Sequence, residues 1–346
     1  MANSSEILLS CAVIEQIGNK EIINITNDSI VTEDLHHIYK QLCKIRKIKQ
    51  PPYVIDYENN KTYQTRCGDA VINLIHRLSG VNVQDQESRR LNPLIIHFHK
   101  LLAEHNLFSQ IYNGKLVHPN ETETARKLNQ LITEYRCIIN SNAFRQENRK
   151  YHRASVKNLR GVNSYINHLF SRYARLLVVR LDLSWGKQFA KEMTAEQAKK
   201  QRQHLFRNMK KNALFKHVLG VIWKLEYGKD KGFHYHMLFF LDGNKARCDI
   251  NISRQFGEYW QNIITEGKGM FFNCNARIAQ YEKPGIGMVR YTDADKREGL
   301  MQAVKYLTKI DTFARLALPG NARTFGRGEI RPFRVRGRKR LALPKC

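Results

Sequence analysis

Hydrophobic residues recur at helical spacing in three stretches of the first half of the chain. The stretches cover residues 65–78, 92–106 and about 121–139. The segment that follows, residues 141–158, is polar and rich in Arg, Lys and Asn, and we interpret it as a bridge between two domains. The pattern therefore predicts a mainly helical N-terminal region over residues 1–158.

From residue 176 onward the pattern alternates between strands and helices. Short apolar runs of strand character lie at residues 176–183, 217–227, 232–240, 270–277 and 288–291. Helical periodicity lies at residues 163–175, 194–211, 252–264 and 293–310. This order predicts an α+β fold, a sandwich of an antiparallel sheet with helices on one or both faces, over residues 159–315. Residues 316–346 remain as a basic C-terminal tail.

Two histidines interrupt one of the most apolar strands. His234 and His236 are separated by a single residue, and side chains two apart on a strand point to the same face. Two neighbouring imidazoles on one face are a typical arrangement for binding a metal ion. A second pair of the same spacing, His97 and His99, lies in a helical pattern, where the two rings diverge, and we interpret it as structural or DNA-facing.

Glu226 is the candidate for a third metal ligand. It precedes a segment of hairpin-turn composition, residues 228–232, which folds its strand back beside the histidine strand. Cross-strand neighbours lie about 5 Å apart, so Glu226 can share an ion with His234 and His236. Oxygen-seeking substrate groups favour Mg²⁺ or Mn²⁺ at such a site, although two imidazoles also accept Zn²⁺.

Tyr306 and Lys309 lie three residues apart on the last predicted helix and therefore on one face of it. A tyrosine hydroxyl is a weak nucleophile, but a nearby cation stabilises its phenolate and a metal polarises the group that it attacks. Together with the predicted metal site, this pair suits the cleavage of a phosphodiester, with Tyr306 as nucleophile and Lys309 balancing charge.

The charge of the chain points to the same class of substrate. Its 58 Lys and Arg outnumber 31 Asp and Glu, giving a formal net charge of +27, which favours a nucleic-acid partner over an anionic membrane. The sequence contains neither an apolar run of about 20 residues nor the cationic start of a signal peptide. Its seven widely spaced cysteines form no Cys-x-x-Cys pair, so we expect reduced thiols and a cytoplasmic location.

These motifs resemble those of a known family. A His-x-His strand followed by Tyr-x-x-Lys on a helix resembles the HUH endonuclease superfamily of rolling-circle replication initiators. The wider context is similar to the inovirus-type, or YagK/YfjJ-like, replication proteins of phages and prophages. The matching segments are VRLDL (residues 179–183), WKLEYG (223–228), the histidine strand followed by LDG (241–243), and AVKYLTK (303–309).

The resemblance implies a ferredoxin- or RRM-like HUH core that nicks single-stranded or hairpin origin DNA. It implies a 5′-phosphotyrosyl link to Tyr306, a free 3′-hydroxyl for a host DNA polymerase, and Mg²⁺ or Mn²⁺ held by His234 and His236. A host helicase would separate the strands, since the sequence contains no Walker-type motif.

The chain also departs from the family pattern. The residue between the two histidines is Tyr235 rather than an aliphatic residue, and Tyr306 has no second tyrosine beside it on the helix. The first-strand motif usually carries Thr or Ser near its end. Ser184 matches this imperfectly, so Asp182 is a candidate to act instead.

Three other interpretations remain open from the sequence. The same chemistry serves an HUH transposase or relaxase, a non-enzymatic DNA-binding regulator could retain the fold, and a zinc hydrolase could use the three ligands with an activated water. The N-terminal region could bind the origin, mediate oligomerisation or act as a scaffold. In the tail, Phe325 and Phe333 alternate with arginines, which suits stacking on single-stranded bases, although the tail could simply raise solubility.

Overall fold

The computed structural model describes most of the chain. The described residues are 13–17, 20–24, 27–59, 61–81, 89–112, 115–116, 121–228, 230–281, 283–309, 314–316, 318 and 323–330. Within the last helix, the side chains of Tyr306, Thr308 and Lys309 are outside the described part.

The described residues form fourteen strands and nine α-helices. The strands are β1 (Val13–Ile17), β2 (Lys20–Asn24), β3 (Tyr53–Asp56), β4 (Lys61–Gln64), β5 (Arg89–Leu91), β6 (Ile111–Tyr112), β7 (Lys115–Leu116), β8 (Arg175–Trp185), β9 (Val218–Gly228), β10 (Gly232–Asp242), β11 (Gly269–Asn273), β12 (Gly287–Arg290), β13 (Ala314–Leu316) and β14 (Phe325–Arg327). The helices are α1 (Asn27–Ile45), α2 (Arg66–Ser79), α3 (Pro93–Glu104), α4 (Glu121–Asn140), α5 (Asn142–Arg172), α6 (Lys187–Ala190), α7 (Ala195–Met209), α8 (Asp249–Tyr259) and α9 (Ala294–Lys309).

The chain divides into two compact units. One unit comprises residues Ser29–Ala154 and Ile310–Ala317, and the other comprises Met1–Asp28, Ser155–Lys309 and Leu318–Cys346. Helix α5 runs through the boundary between Ala154 and Ser155. The first unit is mainly helical, and the second contains the histidine strand.

The helices of the first unit pack around a single apolar core. α2, α3 and α4 occupy the three stretches whose spacing predicts helices, and each contributes residues that are almost fully buried, such as Val71, Phe98 and Leu128. α2 begins where the Thr65 hydroxyl accepts hydrogen bonds from the backbone N–H groups of Cys67 and Gly68. Side-chain capping of this kind explains why the sequence locates the start of α2 to within one residue.

The polar segment that we interpret as a bridge is helical. Its residues 142–158 belong to α5, which is 31 residues long and continues without interruption to Arg172. Phe144, Tyr151 and Val162 are buried along the helix, and their wide spacing leaves most of the intervening positions polar. The boundary between the two units falls within these residues, and a sparse apolar stripe is enough to hold a long helix there when it packs.

The second unit is built on a six-stranded antiparallel sheet. Its strand order is β11-β8-β10-β9-β14, and β12 also pairs with β8. β10 is central and buried along its whole length, which explains its nearly continuous apolar sequence. The prediction of an α+β fold with antiparallel sheets is confirmed.

Helices cover both faces of this sheet. On one face, Leu238 and Phe240 of β10 belong to an apolar cluster with residues of α5 and with Leu300, Val304 and Leu307 of α9. On the opposite face, Phe239 packs against Phe256 of α8. His234 and His236 have the even numbering of Leu238 and Phe240, so they lie on the face that α9 covers.

Part of the basic tail belongs to the sheet. β14 pairs with β9, Phe325 lies opposite Lys224, and the Phe325 side chain is only 8% exposed. Phe325 therefore packs in the apolar cluster of the α9 face, and the interpretation that it stacks on single-stranded bases is wrong. Phe333, the other aromatic residue in that interpretation, lies outside the described residues.

No α-helix in the described part of the chain is both long enough and apolar enough to span a bilayer.

Candidate metal centre

The β9–β10 hairpin brings Glu226 and the two histidines together. His234 lies directly opposite Glu226 in the hairpin, and His236 lies opposite Asp182 of β8. Gly232 begins β10 with a φ of +69°, and a Cβ there would lie 2.7 Å from the Ala190 carbonyl oxygen. Position 232 therefore requires glycine, because any other residue would be strained at this φ and would collide with Ala190.

The three side chains are buried and close enough to share one ion. The ligand atoms that they offer all lie within 4.8 Å of one another. Nε2 of His236 is 3.4 Å from Oε2 of Glu226, and Nε2 of His234 is 3.8 Å from the same oxygen. Neither Nε2 atom nor Oε1 of Glu226 has a hydrogen-bond partner among the described residues. Buried polar atoms without partners are costly, and a metal ion would satisfy all three.

The other ring nitrogen of each histidine is already engaged. Nδ1 of His234 is 3.1 Å from the carbonyl oxygen of Gly232, and Nδ1 of His236 is 2.7 Å from Oδ1 of Asp182. Since a carbonyl oxygen and a carboxylate only accept, each Nδ1 is the donor and carries the proton. In its neutral form each ring then presents the lone pair of Nε2 to the centre, which is the orientation that a metal ligand needs.

The electrostatics of the three groups also suit a cation. Burial, assisted by Lys231, lowers the pKa of His234 to about 3, so this ring is neutral at physiological pH. Burial alone would raise the pKa of Glu226, but His236 and His234 outweigh it and lower that pKa to about 2. Burial likewise acts against a charged His236, but Asp182 and Glu226 raise its pKa. The centre thus holds two carboxylates that favour a positive charge between them.

Asp182 is the supporting residue that the sequence indicated only as a candidate. It is buried, and beyond its bond to His236 it lies 3.9 Å from the Arg180 guanidinium. Because His236 and Arg180 outweigh the effect of burial, the pKa of Asp182 falls below its usual value. Asp182 therefore stays ionised and fixes the orientation of the His236 ring.

Cations around the centre were not identified from the sequence. Lys224 is buried opposite His236 on β9, and Lys231 is buried just before β10. Arg180 and Lys224 each stand two residues before a carboxylate of the site, Asp182 and Glu226. Strand alternation would have placed each basic residue on the face of its carboxylate.

The predicted nucleophile lies on a helix that packs on the same face. α9 contains Tyr306 and Lys309, and its buried residues Leu300, Val304 and Leu307 contact the sheet cluster on the histidine face. The side chains of Tyr306 and Lys309 lie outside the described part of the chain, so their predicted roles stay predictions.

The histidine pair with identical spacing in the first unit is arranged differently. His97 is 2.9 Å from a carboxylate oxygen of Glu147, and the His99 ring packs against Phe108 at 5.1 Å between centroids. The helix α3 thus directs the two rings to different partners. The same His-x-His spacing produces a common site on a strand and two separate contacts on a helix.

Tyr235 has a structural role on the opposite face of the sheet. It is fully buried, and its ring contacts Trp185, Trp223 and Trp260 at 6.0 to 6.4 Å between centroids. Its hydroxyl is 3.5 Å from a guanidinium nitrogen of Arg202, which also stacks on Trp223. The tyrosine between the two histidines is therefore explained by the aromatic cluster that its ring joins and by the guanidinium beside its hydroxyl.

A small cavity adjoins the centre on the side of His234. Its volume is about 50 Å³, and Asp182, Ser184, Lys187 and Lys231 are among its lining residues. Ser184, which the sequence indicated as an imperfect motif match, thus lines this cavity beside the centre. The cavity thus lies between the buried His234 and the exposed Lys187.

Asp182 offers a direct test of the centre. Replacing Asp182 by Asn removes the charge that supports His236, and we expect the affinity for Mn²⁺ to fall about 10- to 100-fold, the usual effect of losing such a partner. Isothermal titration calorimetry on the purified chain measures this change. Asp242, which is similarly buried at the far end of β10, is the matched control, and Asp242→Asn should leave the affinity unchanged. If Asp182→Asn binds Mn²⁺ as tightly as Asp242→Asn does, Asp182 does not support the metal site.

Comparison with known proteins identifies one family. A family model of the YagK/YfjJ C-terminal domain matches residues 139–328. The matched segment contains α5, all six strands of the sheet, and α9, and it ends directly after β14. No curated protein and no solved structure matches the chain.

Proposed function

The chain belongs to the YagK/YfjJ C-terminal domain family, a family of prophage-associated proteins, and on this premise we propose that it is an HUH-type replication initiation endonuclease. It nicks one strand of DNA at an origin and so starts rolling-circle replication. Its substrate is single-stranded or hairpin origin DNA, and its reaction provides a primer end for a host polymerase.

One observation carries the proposal. Glu226, His234 and His236 form a buried group that could hold a metal ion, on the sheet face that the helix of Tyr306 covers. Both imidazoles have Nδ1 engaged and Nε2 directed to the group, which favours ligation over a purely structural role. The net charge of +27 supports a polyanionic substrate for this centre.

The proposed reaction is a transesterification by Tyr306. The phenolic oxygen attacks the phosphorus of one phosphodiester and loses its proton, while the bond from phosphorus to the 3′-oxygen breaks. The leaving 3′-oxygen takes up a proton and becomes a free hydroxyl, and the 5′-phosphate remains esterified to Tyr306. No net oxidation or hydrolysis occurs, so the phosphotyrosyl bond can later be used to rejoin the strand.

Each residue of the centre has a separate role in this proposed reaction. His234, His236 and Glu226 would hold Mg²⁺ or Mn²⁺, which when bound withdraws charge from the phosphate. Asp182 orients the His236 ring, and Lys309 balances the negative charge that develops near Tyr306.

The decisive experiment detects the covalent intermediate. The purified chain is incubated with Mn²⁺ and a library of single-stranded DNA containing a randomised segment, and the products are separated on denaturing gels. We expect a protein–DNA adduct that chelation of the metal prevents and that Tyr306→Phe abolishes, because the variant lacks the attacking oxygen. Sequencing of the trapped DNA would then give the recognised site.

The other outcomes identify the alternatives. Cleavage that survives Tyr306→Phe would replace the proposal by hydrolysis through an activated water, as in a zinc hydrolase. DNA binding without cleavage in any metal would indicate a regulator that retains the fold. Rejoining of the trapped strand to a second DNA end, without replication, would place the same chemistry in a transposase or relaxase.

A further inference from the structure

A second cavity lies on α7, beside the turn that precedes β11. This basic groove has a volume of about 330 Å³. α7 lines it with Lys200, His204 and Arg207, which are at positions i, i+4 and i+7 and therefore share one face of the helix. Lys268 lines it from the turn. Two separate elements thus direct basic side chains into one groove.

The turn has a defined conformation that places Lys268 there. Glu266 and Gly267 have φ values of +53° and +82°, and the N–H of Gly267 donates to the Gln261 carbonyl oxygen at 2.7 Å. The Lys268 N–H donates to the Thr265 carbonyl oxygen at 3.0 Å. A left-handed turn with these hydrogen bonds reverses the chain tightly, so Lys268 is held at the groove by the backbone.

The charge of the groove is strongly one-sided. Lys200, Arg207 and Lys268 are exposed, and His204 is half-buried between the two basic residues of α7. Among the described residues that line the groove, Glu266 is the single acidic one. Three fixed positive charges facing water with one carboxylate favour a ligand that carries several negative charges.

The groove is attached to the end of the sheet that carries the metal centre. Trp185, the last residue of β8, donates from Nε1 to the side-chain oxygen of Gln201 at 2.6 Å, and Gln201 lines the groove. The backbone N–H of Gly186 donates to the Lys268 carbonyl oxygen at 2.9 Å. Trp185 also lines the small cavity beside His234. Trp185 therefore links the two sites. It is hydrogen-bonded to a residue that lines the groove, and it lines the cavity beside His234.

We propose that the basic groove binds the phosphodiester backbone of the DNA strand next to the phosphate that is cleaved. The inference rests on the proposed function for the identity of the strand and adds a contact surface outside the metal centre. Arg207 can form paired hydrogen bonds with one phosphate, and Lys200 and Lys268 act as point charges on its neighbours. About 10 Å separates Lys200 from Arg207 along α7, which lets the helix contact more than one phosphate.

The test compares two pairs of charge reversals in the full-length protein. Lys200→Glu/Arg207→Glu changes the groove, and Lys245→Glu/Arg247→Glu makes the same change in net charge just after β10, at the opposite end of that strand from His234. All four side chains are exposed, so neither variant disturbs a core. Binding of a mixed-sequence single-stranded oligonucleotide is measured by fluorescence anisotropy over a range of salt concentrations, since phosphate contacts do not depend on sequence.

The salt dependence gives the number of phosphates that are lost. If Lys200 and Arg207 each neutralise one, the slope of log affinity against log salt should become shallower by about 1.4, at about 0.7 for each contact with a single strand. The control pair should keep the wild-type slope. An equal change in both variants would show a bulk charge effect and overturn the inference, as would no change in the groove variant.

The same measurements separate this inference from the proposed function. If the wild-type chain forms the Tyr306 adduct and the groove variant binds with the wild-type slope, only the groove is refuted. If the wild-type chain forms no adduct and binds no oligonucleotide, both are refuted. If the salt dependence becomes shallower in the groove variant alone but the wild-type chain forms no adduct, the groove binds DNA and the proposed nicking reaction is refuted.

Discussion

Replacing His234 and His236 together by alanine is expected to abolish divalent-metal binding and the Tyr306 adduct. The two Nε2 atoms are two of the three ligand groups at the centre, and Glu226 alone offers a single carboxylate. We expect the affinity for Mn²⁺ to fall by more than the roughly 10- to 100-fold that loss of a supporting residue causes. The adduct should fall below detection, because the reaction then lacks the charge that polarises the phosphate.

Thermal unfolding provides a readout that does not depend on activity. An ion that binds only the folded state stabilises it by about 2.7 kcal/mol when its concentration is 100 times Kd, so Mn²⁺ should raise the melting temperature of the wild-type chain. The double variant should show no such rise. Glu226→Gln should behave in the same way while keeping the shape of the side chain, which excludes a cavity left by the missing rings as the cause.

The chain supplies its own control for this experiment. His97→Ala/His99→Ala removes the same two residues at the same spacing from α3, where the rings contact Glu147 and Phe108 separately. This variant should bind Mn²⁺ with the wild-type affinity and form the adduct. If the His234→Ala/His236→Ala variant also keeps the wild-type affinity, the metal centre does not exist.

The contrast between the two histidine pairs shows what the sequence can predict. Strand periodicity placed both imidazoles of β10 on one face, and the turn residues before Gly232 located the hairpin that brings in Glu226. The structure pairs His234 with Glu226 directly. Thr194 and Gln197 likewise form a capping box at the start of α7, where the periodicity predicts a helix from residue 194. Features of this kind depend on neighbours within one hairpin or one helical turn.

Features that depend on distant partners could not be predicted in this way. The assignment of Asp182 to His236 needs the register between β8 and β10, which are joined by 46 residues of intervening chain between Trp185 and Gly232. β14 is only three residues long and pairs with β9 from the basic tail, where composition indicated no strand. Its pairing is determined by the burial of Phe325 in the sheet cluster, which is a tertiary effect.

Gly285→Ala is expected to destabilise the second unit strongly, because an added Cβ meets a closer contact here than at any other glycine that the structure describes. A Cβ at this position would overlap the backbone of Gly299 and Leu300 in α9. The helix side of this contact is also close. A Cβ on Gly299 would lie 2.7 Å from the Lys283 carbonyl oxygen and 3.0 Å from the Gly285 nitrogen. Loop and helix therefore touch backbone to backbone, without a side chain that could rotate away.

The cost follows from this geometry. Overpacking of a core usually costs about 1–3 kcal/mol, and because the clash here involves backbone atoms only, we expect about 3 kcal/mol or more. The loss should fall on the second unit, whose three tryptophans, Trp185, Trp223 and Trp260, are all that the chain contains. Urea unfolding followed by tryptophan fluorescence therefore reports this unit by itself.

Gly186→Ala is the matched control within the same unit. Its Cβ would lie 3.6 Å from the Phe189 ring and 3.7 Å from the Lys268 carbonyl oxygen, which are ordinary contacts, so we expect a change of no more than about 1 kcal/mol. If Gly285→Ala unfolds at the same urea concentration as the wild type, the loop does not press on α9 as described. If it is destabilised as expected, the adduct should decrease with it, because the close contact at Gly299 lies on the helix that carries Tyr306.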